Sequence, residues 1–214
     1  MQRLLLGWRL RLAATATLCG APVLLTHAGV TVRELTLLGL QEETDCLKLA
    51  AALNGLLDEA VATVGTAWIR GEPAALDLSP VHVTGTLGRE GGGLLYHRPA
   101  RRNRANARDV AWEFDVDAPR RFEPQALPAG LIQVAGHSGH GRCFDELEGW
   151  IGEGVSREPS VPLRTIQIRS DGPRYVAGVA PTGHSAALVL IDAGFAESPL
   201  ERIELLPLQM SASG

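Results

Sequence analysis

The sequence predicts an α+β domain in which one N-terminal amphipathic helix is followed by an antiparallel β-rich sheet or an open barrel. Three observations carry that class. Apolar residues recur at helical spacing between Thr44 and Val64. After Pro80 the period shortens to two. The later apolar runs follow one another without helical stretches between them, which argues against a doubly wound parallel sheet. A chain of 214 residues is long enough for one substantial core, and 45% apolar with 21% charged residues excludes both wholesale disorder and a multi-span membrane protein.

At the N-terminus, Arg3, Arg9 and Arg11 precede an apolar stretch from Leu12 to Leu25, and Thr26-His27-Ala28 offers small residues at both recognition positions of a cleavage site. Residues 1–28 therefore read as a signal peptide cleaved after Ala28, with an uncleaved membrane anchor or a buried cytosolic segment as the alternatives. Either of the first two places the protein in the periplasm, outside the cell, or anchored facing outward. Taking three arginines from the 20 basic residues leaves 17 against 24 acidic ones, a net charge of −7, which opposes a globally basic nucleic-acid binder. Cleavage also removes Cys19 and leaves Cys46 and Cys143. In an oxidising compartment these two are expected to pair, and such a disulfide contributes roughly 2 to 4 kcal/mol.

Residues 29–80 read as a helical segment and linker, and 81–214 as the β-rich domain. Thr44 or Asp45 caps the helix, with Leu49, Leu53, Leu57, Val61 and Val64 on one face against Lys48, Asp58 and Glu59. Val81 to Leu87 alternates, placing Val81, Val83 and Leu87 inward and His82, Thr84 and Thr86 outward; a glycine turn then leads to Leu94–His97 as its hairpin partner. Val110 to Asp117 is the cleanest strand pattern, with Trp112 and Phe114 inward and Glu113 and Asp115 outward. Leu131–Ala135, Leu163–Arg169, Arg174–Ala180 and Ala187–Asp192 complete the strand candidates, each bounded by Gly or Pro.

The densest chemistry lies in Gly136-His137-Ser138-Gly139-His140-Gly141-Arg142-Cys143-Phe144-Asp145-Glu146. His137, His140 and Cys143 are three apart and two acids follow, a mixed donor set that suits a zinc-like ion, with His137 and His140 as the first candidates. The plainer reading is two polar histidines on a glycine loop. Ser138 approximates the Gly-x-Ser-x-Gly of the α/β-hydrolase nucleophile elbow, with His140 where the last glycine stands; Gly183-His184-Ser185 approximates it with the same departure. Arg98, Arg101, Arg102, Arg104 and Arg108 are the one concentrated basic run; they lack interleaved aromatics for base stacking and read as a solvated loop.

Asp45-Cys46 at a helix start resembles the Asp-Cys that opens the catalytic helix of the NlpC family of cell-wall peptidases. The resemblance covers Asp45 to His97 and implies Cys46 as the nucleophile, with His82 and His97 as base and orienting residue. Leu47-Lys48 stands where that family has Ser-Gly. Ser138 to Gly141 is similar to the histidine motif of caspase-like peptidases, but no matching Asp-Ala-Cys follows.

No catalytic set is complete, so the leading expectation is an extracytoplasmic binding or envelope-assembly module. Its partner would be an envelope protein or glycan, with membrane association through residues 1–28 and no nucleic acid. The alternative is a secreted hydrolase, either Cys-His through Cys46, His82 and His97 or metal-dependent around His137 and His140. No cofactor is expected beyond a zinc-like ion.

Overall fold

Two strands arise where the sequence reads as a leader. β1 (Ala13–Leu18) and β2 (Ala21–Thr26) form a hairpin in which Leu18 pairs with Ala21 across Cys19-Gly20, with φ of 50° and 82° at the two turn residues. Positive φ at both central residues matches the right-handed twist of the strands. A signal core and a strand buried on both faces ask for the same uninterrupted apolar composition. Cleavage after Ala28 would remove both strands, and no helix among the described residues is long and apolar enough to cross a membrane.

The computed structural model describes residues 1–85, 91–101, 119–157, 163–178, 186–192 and 206–210. The class is α+β, with one large sheet and few helices. With β7 (Ile132–Ala135), β8 (Arg164–Arg169), β9 (Gly172–Ala177), β10 (Ala186–Leu190) and β11 (Leu208–Met210), the sheet runs in the order β11-β1-β2-β7-β10-β8-β9. Its pairings are antiparallel except at the centre, where β7 is parallel to both β2 and β10.

Short helix α1 (Gln2–Leu6) and long helix α3 (Cys46–Ile69) cover the β1–β2 end of one face; α2 (Val32–Leu37) lies between β2 and α3 in the chain. Asp45 caps α3 by accepting the amide of Leu47. The helical stripe packs as expected, with Leu49, Leu53, Leu57 and Val64 buried, each large side chain contributing roughly 1.5 to 3 kcal/mol. Asn54 breaks the stripe for a reason: its amide accepts from the backbone of Leu12 and Ala13 and donates to the Ala13 carbonyl. Helix α4 (His140–Glu146) and the 122–127 segment cover the other end of that face over β8 to β10. On the opposite face Val23, Val134 and Val189 are buried together.

The expected hairpin from Val81 to His97 is reduced to β3 (His82–Val83) against β4 (Gly92–Gly93); Val81 is buried and Thr84 exposed as expected, but His82 and Val83 exchange sides. His82 is buried and Val83 exposed, because the His82 ring finds an inward partner in the Gly92 carbonyl at 2.8 Å and stacks on Tyr96. Leu94 to Tyr96 form a turn rather than a strand. A two-residue parallel pairing joins β5 (Arg98–Pro99) to β6 (Arg121–Phe122). The Val110–Asp117 pattern with Trp112 and Phe114, the arginines 102, 104 and 108, and Ser185 lie outside the described residues.

The expected Cys46–Cys143 disulfide is not formed: all three cysteines are free, with Cys46 in the cluster under α3 and Cys143 in the cluster under α4. Each sulfur is enclosed by its own apolar neighbours, so neither reaches the other. Protein purified without reductant and then denatured should accordingly yield three titratable thiols, whereas one thiol would establish the bridge. In the native state exposed Cys19 should react first.

Candidate functional site

The two parallel pairings at the sheet centre direct the carboxyl ends of neighbouring strands to one edge, the place where open α/β sheets bind ligands. β2 and β7 run in register from Leu24 opposite Gln133 to Thr26 opposite Ala135. His27 follows β2 directly, and Gly136-His137 follows β7. Their rings meet: His27 Nε2 lies 3.1 Å from His137 Nδ1, with centroids 4.8 Å apart. His137 holds this position with φ of 64°, a left-handed conformation that a non-glycine residue adopts at a cost.

The other nitrogen of His137 fixes its tautomer. Nε2–H donates to the Tyr96 carbonyl at 3.1 Å, which leaves the Nδ1 lone pair directed at His27. Metal-ligating histidines are oriented in this way, by a carbonyl on the far nitrogen. The Tyr96 ring meets His137 edge-on at 5.7 Å. Two nitrogens bound tetrahedrally at zinc distances stand roughly 3.3 Å apart. At 3.1 Å the observed pair is a hydrogen bond, in which His27 Nε2–H donates to His137 Nδ1, so a metal ion would take the place of that proton.

The loop after His27 is held from three sides. The side-chain amide of Gln133 accepts from Val30 N at 2.7 Å and donates to Val30 O at 2.8 Å. His97 Nε2–H donates to Gly29 O at 3.0 Å. Thr31 and Glu34 form a capping box at the start of α2, and Arg33 pairs with Glu34 at 2.8 Å. Burial works against the charge on Glu34, but the donors on Thr31 and Arg33 favour it, and the carboxyl lies below its usual 4.5. Burial likewise keeps His97 below its usual 6.5 despite Glu34 and the Gly29 carbonyl, so the enclosed ring is neutral and the donors on Thr31 and Arg33 keep Glu34 ionised.

His140, expected beside His137, is elsewhere. Its Nδ1 accepts from Arg164 Nε at 2.9 Å and lies 2.8 Å from the Tyr175 hydroxyl, and its Nε2–H donates to the Ser156 carbonyl at 2.8 Å. With both nitrogens engaged, it has no lone pair for a metal. Asp145 is paired with Arg157 and Glu146 with Arg121. Ser138 is buried, with no base on its hydroxyl. Among the described residues no group of three or more His, Cys, Asp or Glu converges on a metal position.

Nor do Cys46, His82 and His97 form a thiol site. His82 bonds Gly92, His97 bonds Gly29, and burial together with Asp45 pushes the Cys46 thiol up, away from the thiolate. Burial pushes the Cys143 thiol up to about 12. Of the basic run, Arg101 donates to the Glu148 carbonyl and lies over Trp150.

Burial is the first cause that lowers His82, His97 and His140 below 6.5, so all three are neutral in the fold. A histidine depressed by folding adds stability above its unfolded value, and that stability is lost as the pH falls. The melting temperature should therefore decline steadily from about pH 6.5 toward 5, a window set by the unfolded histidine. A flat profile would show that the three rings are accessible.

No family model, curated protein or solved structure matches the chain.

Proposed function

We propose that the domain carries a metal-dependent hydrolytic centre in which His27 and His137 are two of the protein ligands. The observation that carries this is the 3.1 Å approach of their nitrogens at the ends of parallel β2 and β7, with the far nitrogen of His137 tied to the Tyr96 carbonyl. Catalytic zinc sites combine three protein ligands with an exchangeable water, and His27 and His137 would supply two of the three. The bound ion would lower the pKa of its water and supply a hydroxide for hydrolysis. A cavity of about 620 Å³, lined by Leu5, Leu57, Leu76 and Leu95 and reaching His27 and Tyr96, gives an apolar part of a substrate a place beside that hydroxide. This reading keeps residues 1–28 in the working protein, since His27 and the strand presenting it belong to them.

Zinc titration with a competing chromophoric chelator tests it. One equivalent should bind, and His27→Ala and His137→Ala should each weaken binding by at least about tenfold. His140→Gln should leave the affinity of the folded protein unchanged. Equal affinities across the four proteins would end the assignment.

A further inference from the structure

Protein interiors hold few voids larger than a water molecule, yet the cavity beside α1 measures about 620 Å³, a size that suits a small-molecule ligand. Leucines dominate its lining, among them Leu5, Leu57, Leu76 and Leu95, and a void lined in this way stays dry until an apolar guest fills it. Tyr96 and His27 bring the only rings, so a flexible aliphatic chain fits it better than a flat aromatic system. Ala13 pairs with Thr26, which gathers the polar lining residues Arg11, Thr26 and His27 at one end of the sheet, where a polar head would stand.

Leu10 and Arg11 line the cavity and also reach solvent. The Arg11 guanidinium lies over the Trp8 ring at 5.5 Å, and Trp8 is 63% and Leu4 44% exposed. Trp8 closes α1 with φ of 58°, its N–H donating to Leu5 O at 3.0 Å, at the place where glycine is usual. A tryptophan there strains the backbone and still keeps its ring out of the core. Residues 1–32 contain Arg3, Arg9 and Arg11 and no acid, in a chain whose net charge is −4. Arg11 is held by Asp58 at 2.6 Å, which leaves exposed Arg3 and Arg9 to meet anions. Exposed apolar side chains rimmed by arginine, with a tryptophan among them, compose a surface that rests on anionic lipid headgroups.

We propose that this end of the molecule docks on an anionic bilayer and that the cavity behind it takes one lipid acyl chain from that bilayer. The chain enters past Leu10 and Arg11 and lies among the leucines, with its head toward Thr26 and His27. This goes beyond the hydrolytic reading and needs no ion, since His27 enters only as a polar group at the end of the cavity.

The test uses the full chain with vesicles of phosphatidylcholine, with and without phosphatidylglycerol, in which the phosphatidylglycerol or a trace of the phosphatidylcholine carries a diazirine near the end of one acyl chain. Sedimentation reads docking, and mass spectrometry of the photolysed protein reads where the chain lies. Protein should sediment with the anionic vesicles and not with pure phosphatidylcholine, and the diazirine should label Leu57, Leu76 or Leu95. Arg3→Glu with Arg9→Glu should weaken sedimentation at least about tenfold. Leu76→Trp and Leu95→Trp, each checked for folding by circular dichroism, fill the cavity and should cut its labelling at least about fivefold while sedimentation holds. Equal sedimentation with both vesicles, or none with either, overturns docking on an anionic bilayer. Labelling confined to Leu4, Trp8 and their neighbours overturns chain entry. The same diazirine on a free fatty acid is the last arm: if it labels the cavity while the vesicle lipid does not, the bilayer is overturned as the source of the chain.

Discussion

Deleting residues 1–28 should leave a chain that does not fold. The deletion removes β1 and β2 from within the sheet, so β11 loses its partner and β7 becomes an open edge. It also strips Leu5, Leu12 and Leu24 from beneath α3, and Leu18 and Val23 from the opposite face. At roughly 1.5 to 3 kcal/mol for each buried side chain, these five alone equal the net stability of a typical domain, about 5 to 15 kcal/mol. Far-UV circular dichroism and urea titration of the truncated protein should show no cooperative transition. A transition like that of the full chain would show the hairpin to be dispensable and return residues 1–28 to the role of a removable leader.

Gln133→Leu should cost about 2 to 4 kcal/mol, an unusual loss for a nearly isosteric change. Gln133 lies on β7 at the sheet centre with no solvent exposure, and both ends of its amide are matched to Val30. Leucine would leave the N–H and the carbonyl of Val30 buried and unsatisfied, each at about 1 to 3 kcal/mol. Water cannot replace the lost partner, since Val30 is itself fully enclosed. Urea denaturation gives the value directly. A change under about 1 kcal/mol would show that the turn relaxes to find other partners.

These two predictions mark the limits of the sequence reading. α3 was legible because a helix covering a sheet shows its stripe in one continuous stretch, and β7, β8, β9 and β10 because glycine or proline bounds each apolar run. β1 and β2 were masked by their own burial: Ala13 to Thr26 is what a leader core and a two-sided strand both look like, and the preceding arginines favoured the leader. His27 was lost with them, read as a residue inside a cleavage motif. The local cue was present in both halves of the site, since His27 and His137 each follow an apolar strand next to a glycine or alanine. What the sequence could not supply was the parallel pairing that joins residues 110 positions apart. His140 drew attention by its spacing from His137, but α4 turns its ring toward Tyr175.

The sheet is completed late in the life of the nascent chain. β1 pairs with β11, Leu18 opposite Leu208, so β1 waits for a partner that is made long after it. β2 waits for β7 across the whole of α3, while β8 and β9 form a local hairpin. Pairings so distant in sequence slow folding, because loop-closure entropy is lost before the contact is gained. During synthesis Leu18, Val23 and Leu24 remain without their sheet neighbours, an apolar hairpin with free edges. That interval, rather than the finished molecule, is where this chain is most exposed to aggregation and to capture by chaperones.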